Sequence, residues 1–284
     1  MLEKLIIFSF LGLLFILPGC QQQTENQVGI VAANPAYLKY FGEPPRVSKG
    51  RAYARVGYLP LTEYPQKVSV IPLYLFSENN QLEQILERLT GEMMPFLNSR
   101  FYQPLAVEDQ LQVNPVIDHV LTLEITTKRE INRADLSAIA LSLTETALQF
   151  PGIKLVRLLL NGEPFPLMPT AGFSTSPQKI SDPGPPALIV VAGVWEKDSE
   201  DMAELLINFD RPVVINNLKL TDSSGKKIEG EYFRSIFDMA VVVHPLESTS
   251  YDEGTKIQVQ WDVTDKLGRS SRGNNRLSLK RLEH

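Results

Sequence analysis

A chain of 284 residues that is 43% hydrophobic and 21% charged has the composition of a folded protein, long enough for two ordinary domains once leader and linkers are set aside. Its formal net charge of -5, with neither Lys nor Arg gathered in a block, leaves no electrostatic footprint for nucleic acid, so no nucleic-acid partner is expected. A single cysteine excludes an intrachain disulfide and the usual thiolate zinc sites.

The chain opens with Lys4, an apolar run over 5–17, and the turn-forming Pro18 and Gly19 before Cys20. A bilayer span needs about 20 apolar residues, and the polar stretch 21–27 offers no stop-transfer flank, so the segment has the build of a signal peptide. Leu17-Pro18-Gly19-Cys20 resembles a lipobox, the bacterial lipoprotein signal in which Leu stands three before, and Gly just before, a lipidated Cys. Pro18 departs from that pattern, where Ala, Ser or Thr is commoner. The resemblance implies a lipoprotein signal over 1–20 and a Cys20 that becomes the acylated, palmitate-type N-terminus. The protein is then expected to be lipid-anchored in the cell membrane on its extracytoplasmic face. Two buried acyl chains suffice for that, at about 0.8 kcal/mol per buried methylene. The stretch 21–66, polar at first and then broken by Pro35, Pro44, Pro45, Pro60 and Pro65, reads as a tether. Tyr37, Tyr40, Phe41, Tyr53, Tyr58 and Tyr64 in its later half are expected to pack back on the adjacent domain rather than form a docking strip.

Folded grammar is expected from 67. The run 68–76 reads as a strand whose Pro72 favours an edge or a strand start, and Asn79-Asn80 as a turn. Leu82, Ile85, Leu86 and Leu89 have helical spacing over 81–89, with Gly91 placed as a C-terminal cap. Short strands follow over 110–113 and 119–127. A helix then starts at Asn132 and Asp135, which supply its cap, and carries Leu136, Ile139, Ala140, Leu143, Ala147 and Phe150 on one face. Pro151-Gly152 stops it, 153–160 is an apolar strand, and Asn161-Gly162 turns the chain. With that apolar face in the core, Ser137, Thr144, Glu145 and Arg157 are expected to be exposed around it. The order βαββαβ predicts a small α+β sheet with helices on one face and open edges.

The run LTETALQFPGIKLVRLLLNGEPF resembles the closing helix and strand of the GerM (sporulation and spore germination) domain, whose helix ends at Phe-Pro-Gly before a Val- or Ile-led strand and an Asn-Gly or Asp-Gly turn. Two departures stand out. Gly91 and Pro95 are separated where the family has a Gly-Pro-like turn, and Glu124, Ile125 and Thr126 replace an Asp-Phe-Ser-like triplet. The resemblance implies a GerM-like domain over 67–166, akin to ring-building modules of envelope complexes. It implies an interaction or assembly role linked to sporulation or germination, with an envelope protein or a second copy as partner, and an open sheet edge gives such pairing a physical basis.

The Pro-, Ser- and Gly-rich stretch 167–186 reads as a linker that keeps two domains apart. Beyond it the spans 187–194, 203–210, 213–220, 239–243 and 256–263 are short strands separated by turn residues, which predicts an all-β sandwich over 187–284. The runs INFDRPV and EGTKIQVQWDVTDKLGRSSRG resemble bacterial Ig-like domains of the kind found in S-layer proteins and in copper-resistance periplasmic proteins. Trp261, alternating with Val259 and Val263, is expected in the core. Copper proteins of that kind use His and Met ligands, but His244, His284, Met202 and Met239 form no cluster, so no metal is expected, and His244 beside Pro245 reads as a strand-end structural residue.

Catalysis needs a nucleophile with a base, paired carboxylates or a metal. His119, His244 and His284 fall in separate segments, and neither a Gly-rich phosphate loop nor a Gly-x-Ser-x-Gly elbow occurs. The acidic residues Glu196, Asp198, Glu200 and Asp201, with Asp262 or Asp265, are a calcium possibility that reads better as a solvated loop. Glu92, Glu108, Asp109 and Asp118 give no sign of the spacing that glycan hydrolysis requires. The expectation is therefore a non-enzymatic, cofactor-free, membrane-anchored lipoprotein that serves as an interaction module in the cell envelope. The alternative is a lipoprotein that binds cell-wall glycan such as peptidoglycan, or a small solute.

Overall fold

The computed structural model describes residues 29–89, 99–195, 201–246 and 251–282. Its first unit begins earlier than the expected domain. β1 (Ile30–Ala33), α1 (Pro35–Phe41) and β2 (Arg51–Pro60) lie in the stretch read as a tether, and they are folded into the core. The prolines that suggested a tether have structural places. Pro35 starts α1 behind the Asn34 cap, whose Oδ1 accepts the Tyr37 N–H at 2.8 Å, and Pro60 ends β2. Tyr37, Tyr40, Phe41, Tyr53 and Tyr58 are buried, whereas Tyr64 is exposed.

β2 runs antiparallel to β3 (Val68–Leu75) with Tyr53 opposite Leu75, and β1 runs parallel to β2. A second four-stranded sheet is formed by β4 (Gln110–Val113), β5 (Val120–Thr126), β6 (Leu155–Leu160) and β7 (Glu163–Pro164) in that order, with β5 and β6 parallel. Between β3 and β4 lies α2 (Gln81–Arg88), and α3 (Arg133–Leu148) joins β5 to β6. The α+β class and the order βαββαβ are both present, but the single sheet is not: β3 belongs with β1 and β2, in a sheet separate from β4–β7. Every residue of β3 is buried, so it needs a strand partner and cover on both faces, and β2 supplies that partner.

α3 sits between the two sheets and uses three faces. Ile139, Leu143 and Ala147 join the apolar core with Leu73, Leu121, Leu123 and Val156. On the next face, Ser142, Thr146 and Gln149 bond the edge of β2 beyond the end of β1. Ser142 Oγ donates to Tyr58 O, Thr146 Oγ1 accepts the Tyr58 N–H at 3.1 Å, and Gln149 bonds both Val56 N (3.1 Å) and Val56 O (2.7 Å). Helix side chains thus stand in for a missing strand and close this edge of β2. On the third face, Ser137, Ala140, Leu141 and Thr144 lie beneath the segment 167–179. Thr144 (2% exposed) and Glu145 (4%) are consequently buried, contrary to expectation, while Ser137 is half-buried and Arg157 is exposed.

Local signals at the ends of α3 are where the sequence places them. Asn132 Oδ1 accepts the Asp135 N–H at 3.0 Å, Gly152 takes a φ of +92° after the helix, and Asn161 and Gly162, at +52° and +84°, form the tight hairpin turn. The Pro-rich linker, by contrast, is docked. Phe173 and Val156 exchange backbone hydrogen bonds (2.7 and 2.9 Å), and β8 (Ile180–Ser181) adds to β3 in parallel.

The second unit is an all-β sandwich. One sheet has the order β12 (Gly230–Arg234), β13 (Ala240–Pro245), β10 (Met202–Phe209), β9 (Leu188–Trp195), β16 (Lys280–Leu282). The other is β11 (Val213–Thr221), β14 (Lys256–Asp265), β15 (Ser270–Ser278). Leu205, Ile207 and Val243 from the first sheet meet Leu220, Val259 and Val263 from the second. Trp261 is in this core, edge-on to Phe209, with its Nε1–H donating to Asn275 Oδ1 at 2.8 Å.

The two units are in contact, which overturns the expectation of separation. Phe237, in the β12–β13 hairpin, stacks on Tyr74 of β3 with centroids 3.9 Å apart, and Tyr74 Oη lies 2.6 Å from Tyr37 Oη. Burial pushes the Tyr37 hydroxyl up to about 12, so the pair is neutral. Arg211 donates to Asp210 (2.8 Å), Gly184 O (2.7 Å) and Pro183 O (3.2 Å), and lies 3.5 Å from Asp265. Arg269 bridges Asp265 (2.6 Å), Asp182 (3.2 Å) and Tyr40 O (2.6 Å). Linker, α1 and sandwich are thereby tied together.

Candidate functional site

Of the residues singled out in the sequence, Leu17, Gly19 and Cys20 lie outside the described residues, as do Gly91, Glu92, Glu196, Asp198, Glu200 and His284. The remaining histidines are far apart in the fold. His119 Nδ1 is 2.9 Å from Gly152 O in the first unit, and His244 Nε2 is 3.3 Å from Glu204 Oε1 on the sandwich. Three of the acidic residues, Asp109, Asp262 and Asp265, are spent on structure. Asp109, buried, takes a two-pronged contact from Arg129 (2.8 and 3.1 Å) and caps Ala106 N. Burial pushes the Asp109 carboxyl up, but hydrogen bonds from Arg129, Thr127 and Ala106 outweigh it and hold it below the usual carboxylate range. Asp262 accepts from Asn216, and Asp265 belongs to the junction. Among the described residues no three His, Cys, Asp or Glu side chains come together.

Three places in the first unit do present chemistry to a partner. The first is β4. It pairs with β5 alone among the described strands, and Asn114 N donates to Thr122 O. The alternation of an antiparallel pair then turns the backbone N–H and C=O groups of Leu111 and Val113 away from β5. Near this edge in sequence are the exposed apolar side chains of Val107 (58%), Val116 (45%) and Ile117 (69%). The β4–β5 hairpin ends in Asp118 and His119, both at positive φ (+48° and +66°), a rarely adopted pair for residues other than glycine.

The second place is a cleft of about 550 Å³ between α1 and the C-terminal end of α3, lined by Lys39, Tyr40, Tyr58, Gln149 and Lys154 among others. The third is a cavity of about 150 Å³ under the segment 167–179, against α3. Glu145 lines the cleft and holds that segment down, accepting from Thr175 Oγ1 (3.0 Å) and Ser176 N (2.5 Å). Burial raises the Glu145 carboxyl above its ordinary value, more than those two bonds lower it. Sequence periodicity put Glu145 and Thr144 on an outer face. Their only sequence signal was indirect: polar residues within an otherwise apolar helix, whose cover comes from a segment about thirty residues downstream.

The family comparison falls on the first unit. The family described as Germane, sporulation and spore germination, matches residues 54–165. That match opens inside β2 and closes just past β7, so most of β2 is within the family's own span. Among solved structures, the first GerMN domain of the sporulation protein GerM from Bacillus subtilis is 24% identical over 43% of this chain and 93% of that one, with a TM-score of 0.36. The tandem GerMN domains of the same protein are 19% identical, covering 62% of this chain and 58% of that one, also at 0.36. CopC from Methylosinus trichosporium OB3b is 13% identical over 35% of this chain and 97% of that one, at 0.24. No curated protein matches the sequence.

Proposed function

From the premise that residues 54–165 form a GerM-like domain, we propose that the chain works in sporulation or germination as a non-enzymatic assembly module of the cell envelope. Cys20, in its lipobox-like setting, is its lipid anchor, placing the folded units on the extracytoplasmic face of the membrane. The observation that carries the assembly reading is the β4 edge. Among the described residues Leu111 and Val113 leave strand-pairing groups unused, with exposed Val116 and Ile117 a few residues on, so an extended segment of an envelope protein or a second copy can add to the sheet.

Sedimentation of the full chain in mild detergent tests this directly. Self-association, or capture of a discrete envelope protein, is expected for the wild type, and Ile117→Lys should abolish it while leaving the fold intact, because Ile117 is 69% exposed. A wild type that stays monomeric and captures nothing excludes the reading. For the anchor, partition into the detergent phase should be lost in Cys20→Ser. The cleft with Lys39, Tyr40 and Lys154 favours a second reading, binding of peptidoglycan or a small solute. Co-sedimentation with purified peptidoglycan distinguishes it from the first.

A further inference from the structure

The cavity under the segment 167–179 is built unlike the rest of the core. α3 lines it with Ser137, Ala140, Leu141 and Thr144, and the covering segment with Leu167, Phe173, Ser174, Ser176 and Lys179; of the hydroxyls, that of Ser137 donates to Arg133 O. Thr144, on the wall of α3, is 2% exposed and its hydroxyl has no partner among the described residues. Leaving a buried hydroxyl unpaired is costly, and native proteins seldom do so without a water or ligand to receive it. The Ser174 and Ser176 hydroxyls also make no hydrogen bond among the described residues, and Lys179 contributes an ammonium that enters no ion pair there. No carboxylate lines this cavity. Glu145 faces the adjoining cleft, and both of its oxygens are occupied by Thr175 and Ser176.

Apolar side chains together with three unpaired hydroxyls and one cation fit a small molecule with an aliphatic body and an anionic, acceptor-only head. The size agrees: a cavity of about 150 Å³ is of the order that accommodates one benzene-sized body. We propose that this cavity is a binding site for a short aliphatic carboxylate, its alkyl part against Leu141, Leu167 and Phe173 and its carboxylate on Thr144, Ser174, Ser176 and Lys179. The site is independent of the β4 edge and of the assembly role.

Titration of the ¹⁵N-labelled full chain with butyrate, followed by amide chemical shifts, is the test. Saturable shifts at Thr144, Ser174 and Ser176 are expected, with butyramide binding more weakly because it lacks the charge that Lys179 reads. Thr144→Val keeps the shape and removes the hydroxyl. It should raise the thermal midpoint of the unliganded protein and weaken butyrate roughly tenfold, the value of one hydrogen bond. Lys179→Met, at an exposed position, should weaken butyrate without touching stability. The proposal is overturned if butyrate gives no saturable shifts, if butyramide binds equally well, or if Thr144→Val lowers the midpoint, since the hydroxyl then serves the fold.

Discussion

At the junction of the two units Arg211 is 2% exposed, and its guanidinium meets two carboxylates and two carbonyls; beneath the segment 167–179 Thr144, equally buried, meets none. Both places bring a polar group out of water, and the cost of doing so is set by what receives it. Around Arg211 the partners come from two parts of the chain: the sandwich gives Asp210 and Asp265, and the linker gives Pro183 and Gly184. Such a network adds little net stability over an apolar core, yet it is satisfied in only one arrangement of linker and sandwich. The stacked Tyr74 and Phe237 add apolar contact across the same junction. The cavity under 167–179 has no such closure, and its donors face space. One region specifies how the chain is put together, and the other is left able to receive something from outside.

That contrast can be broken at the junction first. Arg211→Met should cost about 3 kcal/mol in urea unfolding, because it leaves the Asp210 carboxylate without its cation in a buried site, while Asp265 keeps Arg269. An unchanged midpoint would mean the network is decorative. Phe237→Ala removes a partly buried ring and its stack on Tyr74, for an expected loss of about 2 kcal/mol. It should also separate the unfolding of the two units, seen as two transitions in calorimetry where the wild type shows one. The smallest change belongs to Glu145→Gln, within about 1 kcal/mol at neutral pH. Its signature is the pH profile. The Glu145 carboxyl is raised in the folded state, so its contribution is complete below the ordinary value of 4.5 and is lost as pH rises through the folded value. Replacement by Gln should remove that decline. Asp109, held low by Arg129, behaves oppositely: its contribution is present above the ordinary 3.8 and is lost as pH falls through the depressed value, so Asp109→Asn flattens the acid limb. Comparison of the two profiles by denaturant unfolding separates a buried acid that is paired with a cation from one that is not.

The parts of this fold that could be read in the sequence are those decided within a few residues. The Asn132 cap, the stop at Gly152, the Asn161-Gly162 turn and the apolar periodicity of α3 all follow from backbone geometry that only certain residues accept. β2 was hidden because Pro60, Pro65 and the aromatic residues around it resemble a linker, and its strand character depends on β3 and on the side chains of α3. β12 and β15 were hidden for a related reason. As outer strands of their sheets they carry few apolar residues, so no alternation marks them.

By itself the sequence determined the identity of the GerM-like helix and strand, the presence of an all-β second unit, and the lipobox-like setting of Cys20, since each rests on contiguous residues. Tertiary structure alone decided that the two units touch and that, among the described residues, β4 leaves an edge free and Thr144 is buried without a partner. Those outcomes join residues far apart in the chain: Tyr40 with Arg269, Tyr74 with Phe237, and Glu145 with Ser176. Whether a polar residue on an amphipathic helix ends in water or under a distant loop depends on where that loop lands, and local spacing carries no trace of it.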